Sequence, residues 1–381
     1  MSATQTYPNY SPGLEGVIGG ITTISEIVSE TSSLIYRGYN VHDLASRGTY
    51  EETAYLLLMG KLPNASELAE FNKLLSDERE VPESVYTAMA QMPKGTHPMD
   101  VAKIGYVAYA PHDPDYSKPA TDRDANLRKA IRIVAKAPTI IGNGYRLLQG
   151  QSVIAPKENY SLAGNFLYLV NGTESDAETI DVMDTALTLY AEHGFNASTF
   201  ACRVTVATLS DLYSGIASGI GTLRGPLHGG ANEEAMRMLL EIDTPENAEA
   251  WIRDALATKK KIMGFGHREY KKRDPRAIYL TKLAKDLAAR KGQERFSKIA
   301  DILENVMETE KNIYPNVDFP AAYAFYALGI DIDLYTPIFV AARVAGWSAH
   351  MIEQLENNRL IRPGCIYEGP LNLDFVELKD R

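Results

Sequence analysis

Asp274-Pro275-Arg276-Ala277-Ile278-Tyr279-Leu280-Thr281-Lys282-Leu283-Ala284-Lys285-Asp286-Leu287 is the stretch that decides the fold class. Asp accepts hydrogen bonds from the free backbone N–H groups at a helix start. Pro at the first helical position lacks only an N–H that would go unpaired there. Leu280, Leu283, Ala284 and Leu287 then recur at helical spacing. The same reading works outward in both directions. Phe296, Ile299, Leu303 and Val306 form the next stripe. Upstream lie Met183, Leu187 and Tyr190, then Leu127, Ile131 and Val134, then Leu68, Phe71 and Leu75. Thr49 with Glu52 has capping-box spacing ahead of the apolar run Ala54 to Met59. Alternating strand patterns are scarce, and the best runs from Gly16 to Ile27 through Thr22, Thr23 and Ile24. The chain is predicted to be all-α, with a small N-terminal β-hairpin as the one exception. It shows no repeat of fixed period and no low-complexity linker.

Composition narrows the functional classes. The chain has 381 residues and is 45% hydrophobic, enough to bury a sizeable core. Its net charge of -10 excludes a general nucleic-acid binder, which needs a basic footprint. Cys202 and Cys365 make no CxxC pair, so they read as reduced thiols rather than a disulfide framework or zinc cage. No apolar run reaches the roughly 18 residues of a membrane span. Met1 to Gly13 lacks the basic start and apolar stretch of a signal peptide, and a cytoplasmic protein is expected.

Seven histidines occur, and three keep unusual company. His228 lies in Gly225-Pro226-Leu227-His228-Gly229-Gly230-Ala231-Asn232, and His267 in Gly264-Phe265-Gly266-His267-Arg268. His193 precedes Gly194-Phe195-Asn196-Ala197-Ser198-Thr199-Phe200. A histidine between glycines marks a sharp turn or a close ligand rather than a filled core. The glycine-rich stretches 215–230 and 264–266 and the segment 363–370 read as hinges, ligand contacts or ordinary turns. Around His267 the acidic chain inverts locally. Lys259, Lys260, Lys261, Arg268, Lys271, Lys272, Arg273 and Arg276 face only Glu269 and Asp274. That run is either a solvated face or a focusing field for a polyanion. Asp318, in Asn316-Val317-Asp318-Phe319-Pro320, could be an ordinary N-cap. Each feature alone has an ordinary explanation.

Together these segments resemble the citrate synthase family. Gly-Pro-Leu-His-Gly-Gly-Ala-Asn, then Gly-Phe-Gly-His with Asp274-Pro275-Arg276 seven residues on, then Asn-Val-Asp match in order and spacing. The resemblance starts at Leu34-Ile35-Tyr36-Arg37-Gly38-Tyr39. It continues through Ala349-His350-Met351-Ile352-Glu353-Gln354 to Ile361-Arg362-Pro363, in the form of the shorter bacterial and archaeal branch. It implies a homodimer at least, with no cofactor and no metal. It implies an acyltransferase that condenses acetyl-CoA with oxaloacetate and hydrolyses citryl-CoA, the first step of the tricarboxylic acid cycle. By resemblance Asp318 takes the methyl proton, His228 stabilises the enol or enolate, and His267 polarises the oxaloacetate carbonyl. A helix start after Gly229-Gly230 would keep His228 neutral. His193, Arg276, Arg343 and Arg362 would bind the oxaloacetate carboxylates, Arg362 reaching across from a partner subunit. Lys271 is the best match to a CoA phosphate contact, with Lys272, Arg273 and Lys261 beside it.

The implied fold has a large helical domain, residues 1–225 and 330–381, and a small one, residues 226–329, around a cleft. Ala341, Ala342, Ala345 and Gly346 would allow close helix contact between or within subunits. A 2-methylcitrate synthase using propionyl-CoA is the nearest alternative. Leu227 before His228, where those enzymes often carry Lys, favours citrate, as does Lys271-Lys272-Arg273. A non-catalytic metal-binding or assembly protein built on His193, His228 and His267 would be a different class, but no HxxxH or HExxH pair supports it.

Overall fold

The computed structural model describes residues 10–270 and 272–381. Helices α1 (Val41–Arg47), α2 (Tyr50–Met59), α3 (Ala65–Asp77), α4 (Glu83–Ala90) and α5 (Pro98–Tyr109) lead into the long α6 (Arg123–Leu148). Then come α7 (Leu162–Asn171), α8 (Ala177–Tyr190), α9 (Ala197–Val206) and α10 (Leu212–Leu223). Next are α11 (Ala231–Ile242), α12 (Pro245–Ala257), α13 (Pro275–Arg290), α14 (Glu294–Lys311) and α15 (Asp318–Ala327). Last is α16 (Tyr335–Glu356). Among the described residues the only sheet is three short antiparallel strands, β1 (Ser25–Val28), β2 (Ser33–Tyr36) and β3 (Tyr39–Asn40). The hairpin therefore starts later than expected. Ser25 pairs with Tyr36, while Gly16 to Ile24 lie outside any strand.

Local chemistry explains the boundaries. Thr49 and Glu52 close the expected capping box on α2, and Asn64 and Glu67 close a second on α3. Asp274 accepts the Arg276 N–H and starts α13, with Pro275 at its first position. Asn196 starts α9 by accepting the Thr199 N–H. Gly60 and Gly172 end α2 and α7 in the left-handed conformation.

The predicted stripes face a continuous core. Phe71, Leu75, Ile131, Val134, Met183, Leu187, Tyr190, Leu280, Leu287, Phe296, Ile299 and Leu303 are all buried. The middle of α6 and nearly all of α16 are buried around their whole circumference, so these two helices form the centre of the molecule. Part of the 215–230 glycine cluster is not a turn. Gly215 and Gly219 lie inside α10, where an added Cβ would stand 2.2 Å from Met351 Sδ and 2.6 Å from Cys202 Sγ. These glycines bring α10 close to α16 and α9. Gly346 likewise serves contact within the chain, because a Cβ there would meet Glu192 Oε2 at 2.3 Å. Helices α11 to α15 pack on one another and present α11 and α13 to the rest. Among the described residues no helix is long and apolar enough to cross a membrane.

Candidate active site

His228 sits in the turn between α10 and α11. The Gly225 carbonyl accepts N–H bonds from His228 at 2.9 Å and Gly229 at 3.2 Å. A Cβ at Gly229 would lie 2.1 Å from the Leu223 carbonyl oxygen, so the turn requires glycine there. His228 Nε2 accepts the Ser198 backbone N–H at 3.2 Å and lies 2.8 Å from Ser198 Oγ. A ring nitrogen that accepts from an amide carries no hydrogen, so the imidazole hydrogen of His228 is on Nδ1. Burial, with the Arg343 charge acting the same way, holds its pKa down to about 4. The helix start that touches the ring is thus α9, through Ser198, and not the expected start of α11. Trp347 Nε1 in turn donates to Ser198 Oγ at 3.2 Å.

His267 has the opposite tautomer. Its Nδ1 accepts the backbone N–H groups of Glu269 at 3.0 Å and Tyr270 at 3.3 Å, which leaves the hydrogen on Nε2. Burial, followed by the Arg276 charge, holds its pKa down to about 4. Gly264 and Gly266, at φ 81° and 79°, make the turn that carries it.

Asp318 is the first residue of α15, preceded by Val317 in the N-cap position, so its carboxylate does not serve as the cap. Asn316 Oδ1 accepts the Asp318 N–H at 3.0 Å instead. The Tyr190 hydroxyl donates to Asp318 Oδ1 at 3.4 Å. Burial pushes the Asp318 pKa up to about 6, against the pull of the Arg276 charge.

A short ladder sets His267 and Asp318 in register. Gly266 N–H donates to the Tyr314 carbonyl at 2.8 Å, and Asn316 N–H to the Gly264 carbonyl at 2.9 Å. Asn316 Nδ2 donates to the Gly266 carbonyl at 2.9 Å, and Phe265 bridges Pro315. Gly264 packs against Phe319, the residue after Asp318, where a Cβ would stand 2.8 Å from Phe319 Cβ.

The expected anion-binding groups divide into two sets. His193 meets His267 edge to face, with ring centroids 5.1 Å apart, and its Nε2 lies 3.2 Å from the Tyr270 hydroxyl. Burial lowers the His193 pKa strongly, and Arg276, His267 and Arg343 push it the same way. Buried Arg276 binds Asp274 through Nε at 3.0 Å and Nη2 at 2.8 Å. Asp274 also accepts the Val317 N–H at 3.1 Å, so one carboxylate ties Arg276 to the start of α15. Buried Arg343 donates from Nε to the Tyr190 carbonyl at 2.6 Å. Arg362 is different: it lies on the exposed segment after α16, and its own chain does not bring it to this cluster. Lys261 and Lys272 are exposed, and Arg273 pairs with Glu308 over the Tyr314 ring. Lys271 lies outside the described residues.

Ser198 and Tyr190 were not singled out from sequence, although Ser198 touches His228 and Tyr190 touches Asp318. Asn196 two residues before Ser198 is a readable helix cap; Tyr190 looks only like a core residue of α8. Among the described residues, His193, His228 and His267 do not share a group of converging metal donors. Such a group is found at His97, Glu233 and Asp333, where the Arg237 guanidinium already bonds Asp333 at 3.0 Å.

The cluster therefore joins a carboxylate with a raised pKa, two neutral imidazoles bearing hydrogen on opposite nitrogens, and two buried guanidinium groups. The family model described as citrate synthase, C-terminal domain, matches residues 13–364. The chain is 44% identical to citrate synthase 2 of Bacillus subtilis, over 97% of this chain and 98% of that protein. It is 43% identical to 2-methylcitrate synthase 2 of Corynebacterium glutamicum, over 100% of both. A ternary complex of Thermoplasma acidophilum citrate synthase with carboxymethyl coenzyme A and oxaloacetate superposes with a TM-score of 0.92 at 36% identity, covering 98% of this chain and 100% of that one. With the motifs, helical architecture and full-length similarity in agreement, the chain belongs to the citrate synthase family, a family of acyltransferases.

Proposed function

We propose that this chain condenses acetyl-CoA with oxaloacetate and hydrolyses the resulting citryl-CoA to citrate and CoA. The observation that carries the reading is the opposed tautomers of His228 and His267 beside a carboxylate whose pKa is raised. A thioester methyl group is a very weak acid, so its removal needs a base and stabilisation of the oxygen that gains charge. Asp318 takes the methyl proton, and His228 Nδ1–H hydrogen-bonds the thioester oxygen. The enol or enolate carbon attacks the oxaloacetate ketone, whose oxygen is polarised by His267 Nε2–H. Water then cleaves the thioester. Arg276, Arg343 and His193 hold the oxaloacetate carboxylates in this reading, and Arg362 of a second subunit completes the set. Lys261, Lys271, Lys272 and Arg273 receive the CoA phosphates.

The chain works in this reading as two domains, residues 1–225 with 330–381 and residues 226–329, closing on oxaloacetate. Dimerisation is supported by the exposed apolar side chains after α16, among them Leu371, Leu373 and Phe375. A cytoplasmic setting is supported by the unpaired Cys202 and Cys365. Relatives named for both citrate and 2-methylcitrate leave the acyl group to the pocket, and one methylene is worth about 1–3 kcal/mol. Leu227 in place of Lys supports acetyl-CoA.

Thiol release from acetyl-CoA in the presence of oxaloacetate tests this function. The wild type should turn over, and Asp318→Ala should lose about 100- to 10,000-fold. No release by the wild type would sink the activity, and near-normal release by the variant would sink the base. Faster turnover with propionyl-CoA would reassign the acyl substrate.

A further inference from the structure

Glu192 and His350 are both wholly buried, and neither has a part in the chemistry above. Glu192 Oε1 gathers three donors: His350 Nε2 at 2.8 Å, the Ser25 hydroxyl at 2.9 Å and the Gly194 backbone N–H at 2.5 Å. The Glu192 carbonyl accepts the Tyr36 hydroxyl at 2.8 Å. Gly346 on α16 leaves the space into which Glu192 Oε2 fits. His350 Nδ1 lies 3.6 Å from Glu353 Oε2, and Glu353 accepts the Thr23 N–H at 2.7 Å. Phe195 lies edge-on against the His350 ring at 5.3 Å.

The loop gripped in this way runs from His193 to Asn196. At one end is the imidazole that meets His267. At the other, Asn196 caps α9 and so directs the Ser198 N–H at His228 Nε2. A displacement of this short loop would move both contacts together. A buried ion pair is a poor means of stabilising a core, since apolar side chains of similar size often serve as well or better. Charge-assisted bonds to one carboxylate oxygen are, however, an effective way to fix a loop.

We propose that Glu192 and His350 are a positioning pair that holds the 193–196 loop, and through it sets His193 and His228 in register for the reaction. The Glu192 carboxylate also supplies negative charge near the buried Arg343 guanidinium. The proposal rests on the site roles given to His193 and His228.

The test is steady-state kinetics with both substrates on folded variants, with thermal unfolding measured alongside. His350→Leu removes the Nε2–H donor, whereas His350→Gln keeps an N–H near the same place. His350→Leu should raise KM for oxaloacetate about tenfold or more and lower kcat by a similar factor. His350→Gln should stay within about threefold of the wild type. A folded His350→Leu with both constants within about twofold of the wild type would overturn the proposal, as would equal losses in the Leu and Gln variants. If His350→Leu does not fold, Glu192→Gln decides by the same criteria. If neither folds, the pair is a folding element and the positioning role is rejected. His193→Ala separates this from the site reading. An unchanged oxaloacetate KM there would overturn the site assignment. A raised KM there with an unaffected His350→Leu would overturn the pair alone.

Discussion

Asp318, His228 and His267 divide the titration between them. The histidines ionise near pH 4 and stay neutral through the working range, whereas Asp318, at about 6, must lose its proton to act as base. A profile of log kcat/KM against pH should therefore fall on the acid side with one ionisation near 6. A steeper fall is expected below about 4, where the histidines take up protons, and activity that stays level from pH 7 down to about 4 would mean that another group supplies the base. The same carboxyl has a cost in stability. Its folded-state pKa is raised above the ordinary 3.8, so its stabilising contribution is complete only below that value and is lost as pH rises through about 6. Asp318→Asn should consequently be more stable than the wild type at pH 8, by an amount of order 3 kcal/mol. Urea unfolding at pH 8 and pH 4 should show that advantage shrinking at the lower pH. The histidines act with the opposite sign. Their lowered pKa values favour the fold above pH 6.5, and that contribution is lost as pH falls toward 4.

At the scale of elements, the ladder between 264–266 and 314–316 brings two distant motifs, those of His267 and Asp318, into one fixed arrangement. Gly264→Ala adds a methyl group 2.8 Å from Phe319 Cβ, at a backbone position with φ 81°. Overpacking of this kind costs about 1–3 kcal/mol, and here the yielding residue adjoins Asp318. The expected outcome is a kcat loss of about tenfold or more in a protein that still folds, read by thiol release and circular dichroism. Helix starts were legible because caps act over three residues: Thr49 with Glu52 and Asp274 with Pro275 stand where local chemistry puts them. The ladder was not legible, since no local pattern in 264–267 announces a partner near 315. Burial inside α10 hid the role of Gly215 and Gly219, which read as turn residues until α16 and α9 are placed against them. The expected strand began too early for a related reason. Ile24 is buried just outside β1, and apolar burial alone mimicked the alternation of a strand.

The whole chain leaves one expected group unplaced. Arg276, Arg343 and His193 come together within a single subunit, but Arg362 remains on the exposed C-terminal segment. If two subunits share each site, Asp318→Ala and Arg362→Ala subunits should complement one another. Co-expressed in equal amounts, they should recover about one quarter of wild-type turnover, since half the dimers are mixed and each has one intact site. Recovery no greater than that of either variant alone would mean that Arg362 is not supplied to the site by a partner subunit. The broad fold could be read from the chain because helical stripes are local, but a site shared between chains leaves no mark within one chain's spacing. The ladder at 264–266 has a further consequence, for the latitude the chain has to vary in length. Residues 267 to 313 form a closed excursion whose two ends are pinned to each other, with α13 and α14 inside it. The turn at 291–293 lies at the far side of that excursion, on the surface, with Gly292 at φ 68°. Extra residues there would lengthen a loop whose closure is already made elsewhere, at little entropic expense. The molecule can thus accept growth in the middle of this segment without any change in the distance between Asp318 and the His267 imidazole.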